Sequence, residues 1–328
     1  VSKYMHVMVY GEFAQEPAVK LCKLIIDLLP QNHEVVYLTN SGTEAIEGAM
    51  KLAKRVTGRS ELIGAKNSYH GSTHGALSLL GDENQKMAYR PLLPGIDFII
   101  FNNEKDLEKI NESTAAVVLE TIQGGAGFIL PENDYLKKVK KRCEEKGALL
   151  ILDEIQPGFG RTGKMFGFEH FGVSPDIVVM GKAMGGGMPI GAFSAASALM
   201  KVLEENPKLG HITTFGGNPV IAAAALANIQ EIINSKLIDD IKSKEELFRK
   251  HLQHPKIKQI NGTGLMLAPI FEEKEIPTQL VKRCLKKGVL LFWLLWEKNA
   301  IRISPPLNIS EQEIIAGCEI ICQTLNEV

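Results

Sequence analysis

Short apolar runs recur along the first two thirds of the chain, and each is followed by polar or turn residues. Several are separated by segments with helical periodicity, such as residues 133–146. Continuous apolar character without alternation indicates strands that are buried on both faces, as in a parallel sheet between two layers of helices. The runs cover residues 34–38, 61–65, 97–101, 115–120, 148–153, 176–180 and 192–196. We therefore expect an α/β fold with a seven-stranded, mostly parallel sheet.

The pattern changes after Asn218. Residues 220–233 are rich in alanine and predict a long buried helix, and the charged residues 238–251 predict a helix that leads to a second lobe. Ser310 and Glu313 have the spacing of a capping box and open the last predicted helix. The other elements expected in this lobe are strands at 257–271, 288–295 and 300–304 and helices at 277–287 and 311–326. We place an N-terminal segment at 1–30, a large domain at 31–235 and a small α+β domain at 236–328.

Composition and charge exclude several classes of function. The chain has 37 Lys and Arg against 38 Asp and Glu, a net charge of −1, which gives no electrostatic reason to expect binding to nucleic acid or an anionic membrane. Its longest apolar stretch, residues 288–296, is shorter than the roughly 20 residues of a membrane span and is predicted to be a buried strand. The five cysteines include no C-x-x-C, which favours reduced thiols and a cytoplasmic location.

Two charged residues follow predicted buried strands, Asp153 after residues 148–152 and Lys182 shortly after residues 176–180. Ligands of open α/β sheets bind at the carboxyl ends of the strands. A lysine amine at that edge suits a Schiff base, and a nearby carboxylate suits the ring nitrogen of pyridoxal phosphate, because a protonated pyridine is an electron sink. This pair predicts pyridoxal-phosphate chemistry.

Other chemistries have weaker support. The pair Asp153-Glu154 after an apolar run is compatible with a Mg²⁺ site, but the chain contains no G-x-x-x-x-G-K-[ST] loop for phosphoryl transfer. It also contains no G-x-G-x-x-G after the first strand, as a nicotinamide enzyme would. His70 and His74 are four residues apart without a third ligand of suitable spacing, so we expect no metal.

Two further segments follow predicted strands and carry candidate ligands. Ser41, Gly42 and Thr43 open a predicted helix, where free N–H groups can bind a phosphate, although such a segment can also be only a helix cap. Tyr69 and His70 follow the next strand, where the Tyr69 ring can stack on a flat cofactor or pack on the core.

Together these segments resemble the class III aminotransferases, which include ornithine, acetylornithine and γ-aminobutyrate aminotransferases. The resemblance extends from about Tyr10 to the C-terminus. Its motifs are N-S-G-T-E-A at 40–45, S-Y-H-G at 68–71, L-E-T-I-Q-G at 119–124, L-D-E-I-Q-x-G-x-G-R-T-G at 152–163, D-I-V-V-M-G-K-A at 176–183, T-T-F-G-G-N-P at 213–219 and I-R-I-S-P-P-L at 301–307. The resemblance implies the aspartate-aminotransferase fold (fold type I), pyridoxal 5'-phosphate as cofactor, and a homodimer with shared active sites.

The resemblance also implies roles for individual residues around the cofactor. Lys182 would form the Schiff base and then move the proton, and Asp153 would hold the pyridine nitrogen protonated. Gln156 would bind the ring hydroxyl oxygen, and Tyr69 would stack on the ring beside His70. The phosphate would be bound by Ser41, Gly42 and Thr43 of one subunit and by Thr214 of the other.

On the substrate side, the resemblance implies that Arg302 pairs with a carboxylate of 2-oxoglutarate or glutamate. Tyr10 and Glu120 match further substrate-contacting positions. Where many members read Q-G-E-x-G, this chain has Gly125, so the acid that masks the arginine while an ω-amine binds is absent. The N-terminal segment is also short compared with the family.

The expected activity is a ping-pong transamination between an amino donor and a 2-oxo acid. The favoured donors are ornithine, acetylornithine or a related ω-amine or amino acid, and the favoured acceptor is 2-oxoglutarate. An aminomutase of the glutamate-semialdehyde type or an amino-acid racemase on the same fold is an alternative, since both use the same cofactor residues. A non-catalytic scaffold is disfavoured, because it has no need of Lys182, Asp153, Gln156 and Thr214 together.

Overall fold

The computed structural model describes residue 3, residues 13–208 and residues 210–328. It confirms the predicted sheet, because all seven expected strands are present and pair into one sheet. Their bounds are β1 Val35–Thr39, β2 Glu61–Ala65, β3 Ile96–Ile99, β4 Thr114–Glu120, β5 Leu149–Asp153, β6 Ile177–Met180 and β7 Gly191–Ala195.

The sheet is mostly parallel, as expected. Its strand order is β1-β7-β6-β5-β4-β2-β3. Only β7 is antiparallel to its neighbours β1 and β6, and the other pairs are parallel. Six strands therefore point in one direction, and their carboxyl ends meet at one edge of the sheet.

Helices cover both faces of the sheet and build the second lobe. The α-helices are α1 Glu16–Leu28, α2 Gly42–Thr57, α3 His74–Ser78, α4 Glu83–Lys86, α5 Tyr135–Lys146, α6 Ser197–Met200, α7 Pro219–Asn234, α8 Ile241–His251, α9 Glu275–Lys286 and α10 Glu311–Leu325. Short 3₁₀ turns span Met87–Tyr89, Glu104–Lys109, Gly167–Phe171, Lys182–Gly185 and Lys201–Leu203.

The sheet is buried on both faces because successive residues of its central strands enter different cores. In β4, Val117 packs with residues of α1, α5 and α7, whereas Val118 packs with residues of α2. Both side chains are fully buried. This two-sided burial explains why the strands read as continuous apolar runs rather than as alternating ones.

The ends of the main helices follow from local sequence. Ser41 caps α2 by accepting a hydrogen bond from the N–H of Glu44, and Gly58 ends this helix with a φ of +68° that favours glycine. Asn218 caps α7 through the N–H of Val220. The predicted capping box of α10 is present, since Ser310 accepts from the N–H of Glu313 and Glu313 accepts from the N–H of Ser310.

The C-terminal part differs from the prediction in its strands. Residues 257–271 form a hairpin of two strands, β8 Ile257–Thr263 and β9 Met266–Phe271, because Gly264 turns the chain with a φ of +59°. The expected strand at 288–295 is wrong apart from β10 Phe292–Trp293, and that at 300–304 shortens to β11 Ile301–Arg302. These elements share a core with α8, α9 and α10. The domain boundaries stay a prediction.

No helix in the described part of the chain is both long and apolar enough to cross a membrane.

Candidate active site

A cleft of about 530 Å³ opens at the edge where the parallel strands end. The loops after β1, β2, β4, β5 and β6 all reach it, and one wall comes from the C-terminal part of the chain. Its lining residues are Gly42, Thr43, Tyr69, His70, Gly71, Ser72, Glu120, Gly124, Gly125, Asp153, Ile155, Gln156, Pro157, Lys182, Phe292, Trp293, Leu294, Leu295 and Arg302. Most of the residues that the sequence singled out therefore lie in one place.

The two acids after β5 have different environments. Asp153 lines the cleft, where its Oδ1 accepts from the N–H of Ile155 at 2.9 Å. Glu154 is fully buried and accepts from Thr121 Oγ1 and from the N–H groups of Gly167 and Phe168. Glu154 therefore anchors a loop. Because only Asp153 faces the cleft, the two acids do not form a paired carboxylate site for Mg²⁺.

Asp153 is held by a buried histidine. His70 Nδ1 donates to Asp153 Oδ2 at 2.8 Å, and both side chains are almost completely buried. Burial alone lowers the pKa of His70, but the hydrogen bond and charge of Asp153, together with the charge of Glu120, raise it above its usual value. The hydrogen bond from His70 therefore holds the Asp153 carboxylate in a fixed position in the cleft.

Glu120 is a second buried acid beside this pair. Its Oε1 accepts from the N–H of Tyr69 at 3.1 Å and its Oε2 from the N–H of Gly124 at 2.8 Å. Burial raises the pKa of Glu120 to about 7, while the charge of His70 opposes this shift. The carboxyl group fixes the relative position of the loops after β2 and β4.

Glu120→Gln is expected to change how stability depends on pH. Because the folded-state pKa of Glu120 lies above its unfolded value, the wild type binds the proton more tightly when folded and loses stability as the pH rises from about 4.5 to about 7. The variant lacks this loss. The difference in free energy of unfolding, wild type minus variant, should fall by about 3 kcal/mol across this window.

Urea unfolding of both proteins in the same cofactor state at pH 5 and pH 8 measures this difference, and an equal difference at both pH values would contradict the account. Glu154 has a similarly raised pKa, but it is present in both proteins and cancels.

The N-terminus of α2 also lines the cleft. Gly42 and Thr43 line it, whereas Ser41 is occupied as the helix cap. Thr73 Oγ1 donates its proton to Glu47 Oε1 at 2.5 Å. Thr43 Oγ1 is therefore the donor in its 2.7 Å hydrogen bond to Thr73 Oγ1. The first N–H groups of a helix lack helical partners, and they carry a partial positive charge that attracts anions.

Close backbone approach shapes this end of the cleft. A Cβ atom at Gly71 would lie 2.2 Å from Thr43 Oγ1, and Gly71 has a φ of +135°. A Cβ atom at Gly42 would lie 2.6 Å from Ile155 Cδ1. Neither position accepts a side chain without rearrangement, so both glycines are needed for the loops to meet around the helix end.

Lys182 follows β6 at the mouth of the cleft with a φ of +42°. This left-handed conformation costs a residue with a Cβ atom on the order of 1–3 kcal/mol, which favours a functional reason for lysine here. Its side chain is exposed in the single chain. The open cleft explains the exposure, because no residue of the described chain covers the amine.

Tyr69 and Gln156 complete the floor of the cleft. Tyr69 is 37% exposed and its hydroxyl lies 3.0 Å from Ser72 Oγ. The side chain of Gln156 forms no hydrogen bond to any other described residue, and a Cβ atom at Gly124 would lie 2.5 Å from its Oε1. Both side chains line the same cleft as Asp153.

An apolar wall at residues 292–295 lies next to Arg302. We expected a buried strand here, but Phe292 and Leu295 are 51% and 54% exposed, and the segment lines the cleft. Sequence reasoning therefore missed these residues as site residues. Their position about nine residues before Arg302, at hairpin distance, was the available signal, since Phe292 and Arg302 pair directly across β10 and β11.

Besides Ser41, which caps α2, two predicted residues are not found in this cleft. Thr214 is exposed and does not line the cleft of its own chain. Tyr10 lies outside the described residues.

The lining residues fit pyridoxal phosphate. A helix N-terminus for the phosphate, a lysine amine for the aldehyde and a buried carboxylate for the ring nitrogen all face one cleft. His70 Nε2 is buried and has no hydrogen-bond partner among the described residues. A buried polar atom of this kind can bind a ligand or a water molecule. Within the same residues, no three His, Cys, Asp or Glu side chains are grouped to hold a metal ion.

Comparison with known proteins gives one family. The model of the family "Aminotransferase class-III" matches residues 1–325. A putrescine aminotransferase from Pectobacterium atrosepticum is 40% identical over 310 residues, which cover 89% of this chain and 66% of that protein. An acetylornithine aminotransferase from Caldanaerobacter subterraneus is 38% identical over 307 residues, which cover 89% of this chain and 76% of that protein. The chain therefore spans only part of the length of these relatives, just under two thirds of the first.

Solved structures give the same result. An ornithine aminotransferase from Toxoplasma gondii, described as having partial occupancy of PLP at its active site, has a TM-score of 0.90 and 29% sequence identity, with 98% of this chain and 78% of that chain covered. An aminotransferase from Bacillus anthracis has a TM-score of 0.90 at 26% identity, with 98% and 83% covered.

Proposed function

Because the chain belongs to the class III aminotransferases and is a pyridoxal-phosphate enzyme, we propose that it moves an amino group from an amino donor to 2-oxoglutarate in two half-reactions. The observation that carries this proposal is the meeting of Lys182, Asp153 and Arg302 in one cleft with the N-terminus of α2. The lysine and carboxylate serve the cofactor, and the guanidinium serves the substrate.

Each residue has a physical task in this proposal. When bound, pyridoxal phosphate supplies the electron sink that weakens the bonds at the substrate's reacting carbon. Asp153, held by His70, would place its carboxylate at the ring nitrogen, and Gln156 would bind the ring hydroxyl oxygen. Lys182 Nζ would hold the cofactor covalently and, when released, would accept the proton from the reacting carbon. Tyr69 would stack on the ring.

The phosphate and the substrate would be bound by different groups of the cleft. The free N–H groups of Gly42 and Thr43 bind the phosphate, with Ser41 fixing the helix end. Arg302 binds a substrate carboxylate through its parallel N–H donors. Glu120 contacts this region by holding the loop that contains Gly124 and Gly125. The proposed role of Tyr10 in substrate binding rests on the family resemblance.

The relatives support an amine donor of the ornithine, acetylornithine or related ω-amine class. Two relatives are named for putrescine and acetylornithine and one solved structure for ornithine. These substrates share an aliphatic chain that ends in an amine, which matches the apolar wall at residues 292–295.

We further propose a cytoplasmic homodimer with shared active sites. All five cysteines are free, which suits a reducing compartment. Thr214 is exposed, and the neighbouring Phe215 is 58% exposed. An exposed aromatic ring next to a phosphate-binding motif supports the proposal that this segment completes the cleft of a second copy.

A panel of amines tests the proposed function. The cofactor-loaded enzyme is mixed in turn with L-ornithine, N-acetylornithine, putrescine and L-glutamate, and the visible absorbance of the cofactor is followed. At least one donor is expected to convert the cofactor to its amine form, and 2-oxoglutarate is expected to restore the original spectrum with formation of glutamate. Conversion without restoration by any 2-oxo acid would contradict a transaminase and favour a mutase.

A further inference from the structure

The guanidinium group of Arg302 has an aromatic partner instead of an acidic one. Its central carbon lies 5.1 Å from the centroid of the Phe292 ring, directly across the β10–β11 pair. Among the residues that the structure describes, Arg302 forms no salt bridge and no side-chain hydrogen bond. A ring attracts a cation through its quadrupole without occupying any N–H donor. All five donors therefore stay available to a ligand.

The acids of the cleft are not free to neutralise Arg302. Both oxygens of Glu120 accept backbone N–H groups, and both oxygens of Asp153 are bonded to His70 and to the N–H of Ile155. Burial lowers the pKa of Arg302, which shows that its charge is partly removed from water. A partly desolvated cation without a counter-ion favours the binding of an anion.

The loop after β4 holds the chain directly after the apolar wall at residues 292–295. The carbonyl oxygen of Gly125 accepts from the N–H groups of Trp296 at 2.9 Å and of Glu297 at 3.3 Å. A Cβ atom at position 125 would lie 2.9 Å from Trp296 Nε1 and 3.3 Å from Leu295 Cβ. Gly125 does not have a positive φ, so the indole ring rather than the backbone excludes a side chain here. A side chain at position 125 would therefore displace Trp296 and the wall beside it.

We propose that Phe292 determines substrate selectivity by holding Arg302 ready for a carboxylate without neutralising it. This inference rests on the proposed role of Arg302 in binding the substrate. The site takes compounds that carry a carboxylate on the Arg302 side and an aliphatic chain against residues 292–295. Amines without a carboxylate leave Arg302 desolvated and unpaired, so they bind weakly. Phe292 is a positioning residue in this arrangement.

The test compares Phe292→Leu with Phe292→Tyr, because tyrosine keeps the ring and leucine does not. Binding of glutarate, a dicarboxylate that cannot react, is measured by calorimetry on the cofactor-loaded enzyme, with glutaramide as the unreactive ligand of the same length without a carboxylate. We expect Phe292→Leu to weaken glutarate binding about fivefold and to raise the KM for the oxo-acid acceptor by a similar factor at nearly unchanged kcat. Phe292→Tyr should stay within about twofold of the wild type, and binding of glutaramide should change in neither variant.

Two controls separate the outcomes. Leu290→Ala removes an apolar side chain that is 81% exposed on the same segment and outside the cleft lining, so it should bind glutarate as the wild type does. Arg302→Gln should abolish most glutarate binding. Equal glutarate affinity in Phe292→Leu and the wild type, or an equal loss in the leucine and tyrosine variants, would overturn the inference. Unchanged glutarate binding in Arg302→Gln would instead overturn the proposed role of Arg302 itself.

Discussion

Lys182→Ala is expected to abolish covalent attachment of the cofactor and to lower kcat/KM by about 10⁴-fold or more. Lys182 is the only lysine that lines the cleft within the described chain, so no other amine there can replace it. Alanine at a φ of +42° carries the same backbone strain as lysine, and stability should therefore change little. The visible absorbance of the bound cofactor and the steady-state rate with the best donor measure the effect.

Lys201→Ala is the matched control for this prediction. Lys201 is also exposed and also begins a 3₁₀ turn, but it does not line the cleft. This variant should keep the wild-type spectrum and rate. A Lys182→Ala enzyme that retains the absorbance of a lysine-bound cofactor would show that a different lysine serves the chemistry.

Asp153→Asn is expected to slow the half-reaction with the amino donor by about 10²–10³-fold while leaving the cofactor attached. The amide has nearly the same shape as the carboxylate but no charge, so the ring nitrogen loses the anion that keeps it protonated. His70 loses the same anion, and its pKa should fall because Asp153 is the main group that raises it against burial. Stopped-flow absorbance of the cofactor gives the half-reaction rate.

Glu154→Gln separates this effect from a general loss of a buried acid. Glu154 is the next residue and is also buried, but its oxygens accept from Thr121, Gly167 and Phe168, outside the cleft. This variant should lose stability in urea unfolding and keep the half-reaction rate of the folded enzyme. An Asp153→Asn enzyme as fast as Glu154→Gln would contradict a role for the Asp153 charge.

The sheet and its polar edge were predictable because local pattern determines them. Central strands that are buried on both faces need continuous apolar runs, and parallel strands bring the residues that follow them to one edge. Asp153 and Lys182 could therefore be placed together from their positions after β5 and β6. The hydrogen bond between His70 and Asp153 could not be predicted, because it depends on the relative orientation of two loops that are 83 residues apart in sequence.

The apolar wall at residues 292–295 shows where a prediction from hydrophobic pattern alone fails. A run such as residues 288–296 has the composition of a buried strand, yet Phe292, Trp293 and Leu295 are exposed along an open cleft. Burial depends on what packs against a segment, and the sequence of a single segment does not contain this information. In the same way, the contact with Trp296 explains the glycine at position 125, and this contact joins residues that are distant in sequence and close in space.

The most direct test of the central claim, that this cleft holds pyridoxal phosphate on Lys182, is borohydride reduction of the cofactor-loaded enzyme followed by peptide mass spectrometry. Reduction should fix the cofactor irreversibly on one peptide, and fragmentation should place the added mass on Lys182. Reduced cofactor found on another lysine, or no modified peptide from an enzyme that is active before reduction, would contradict the account.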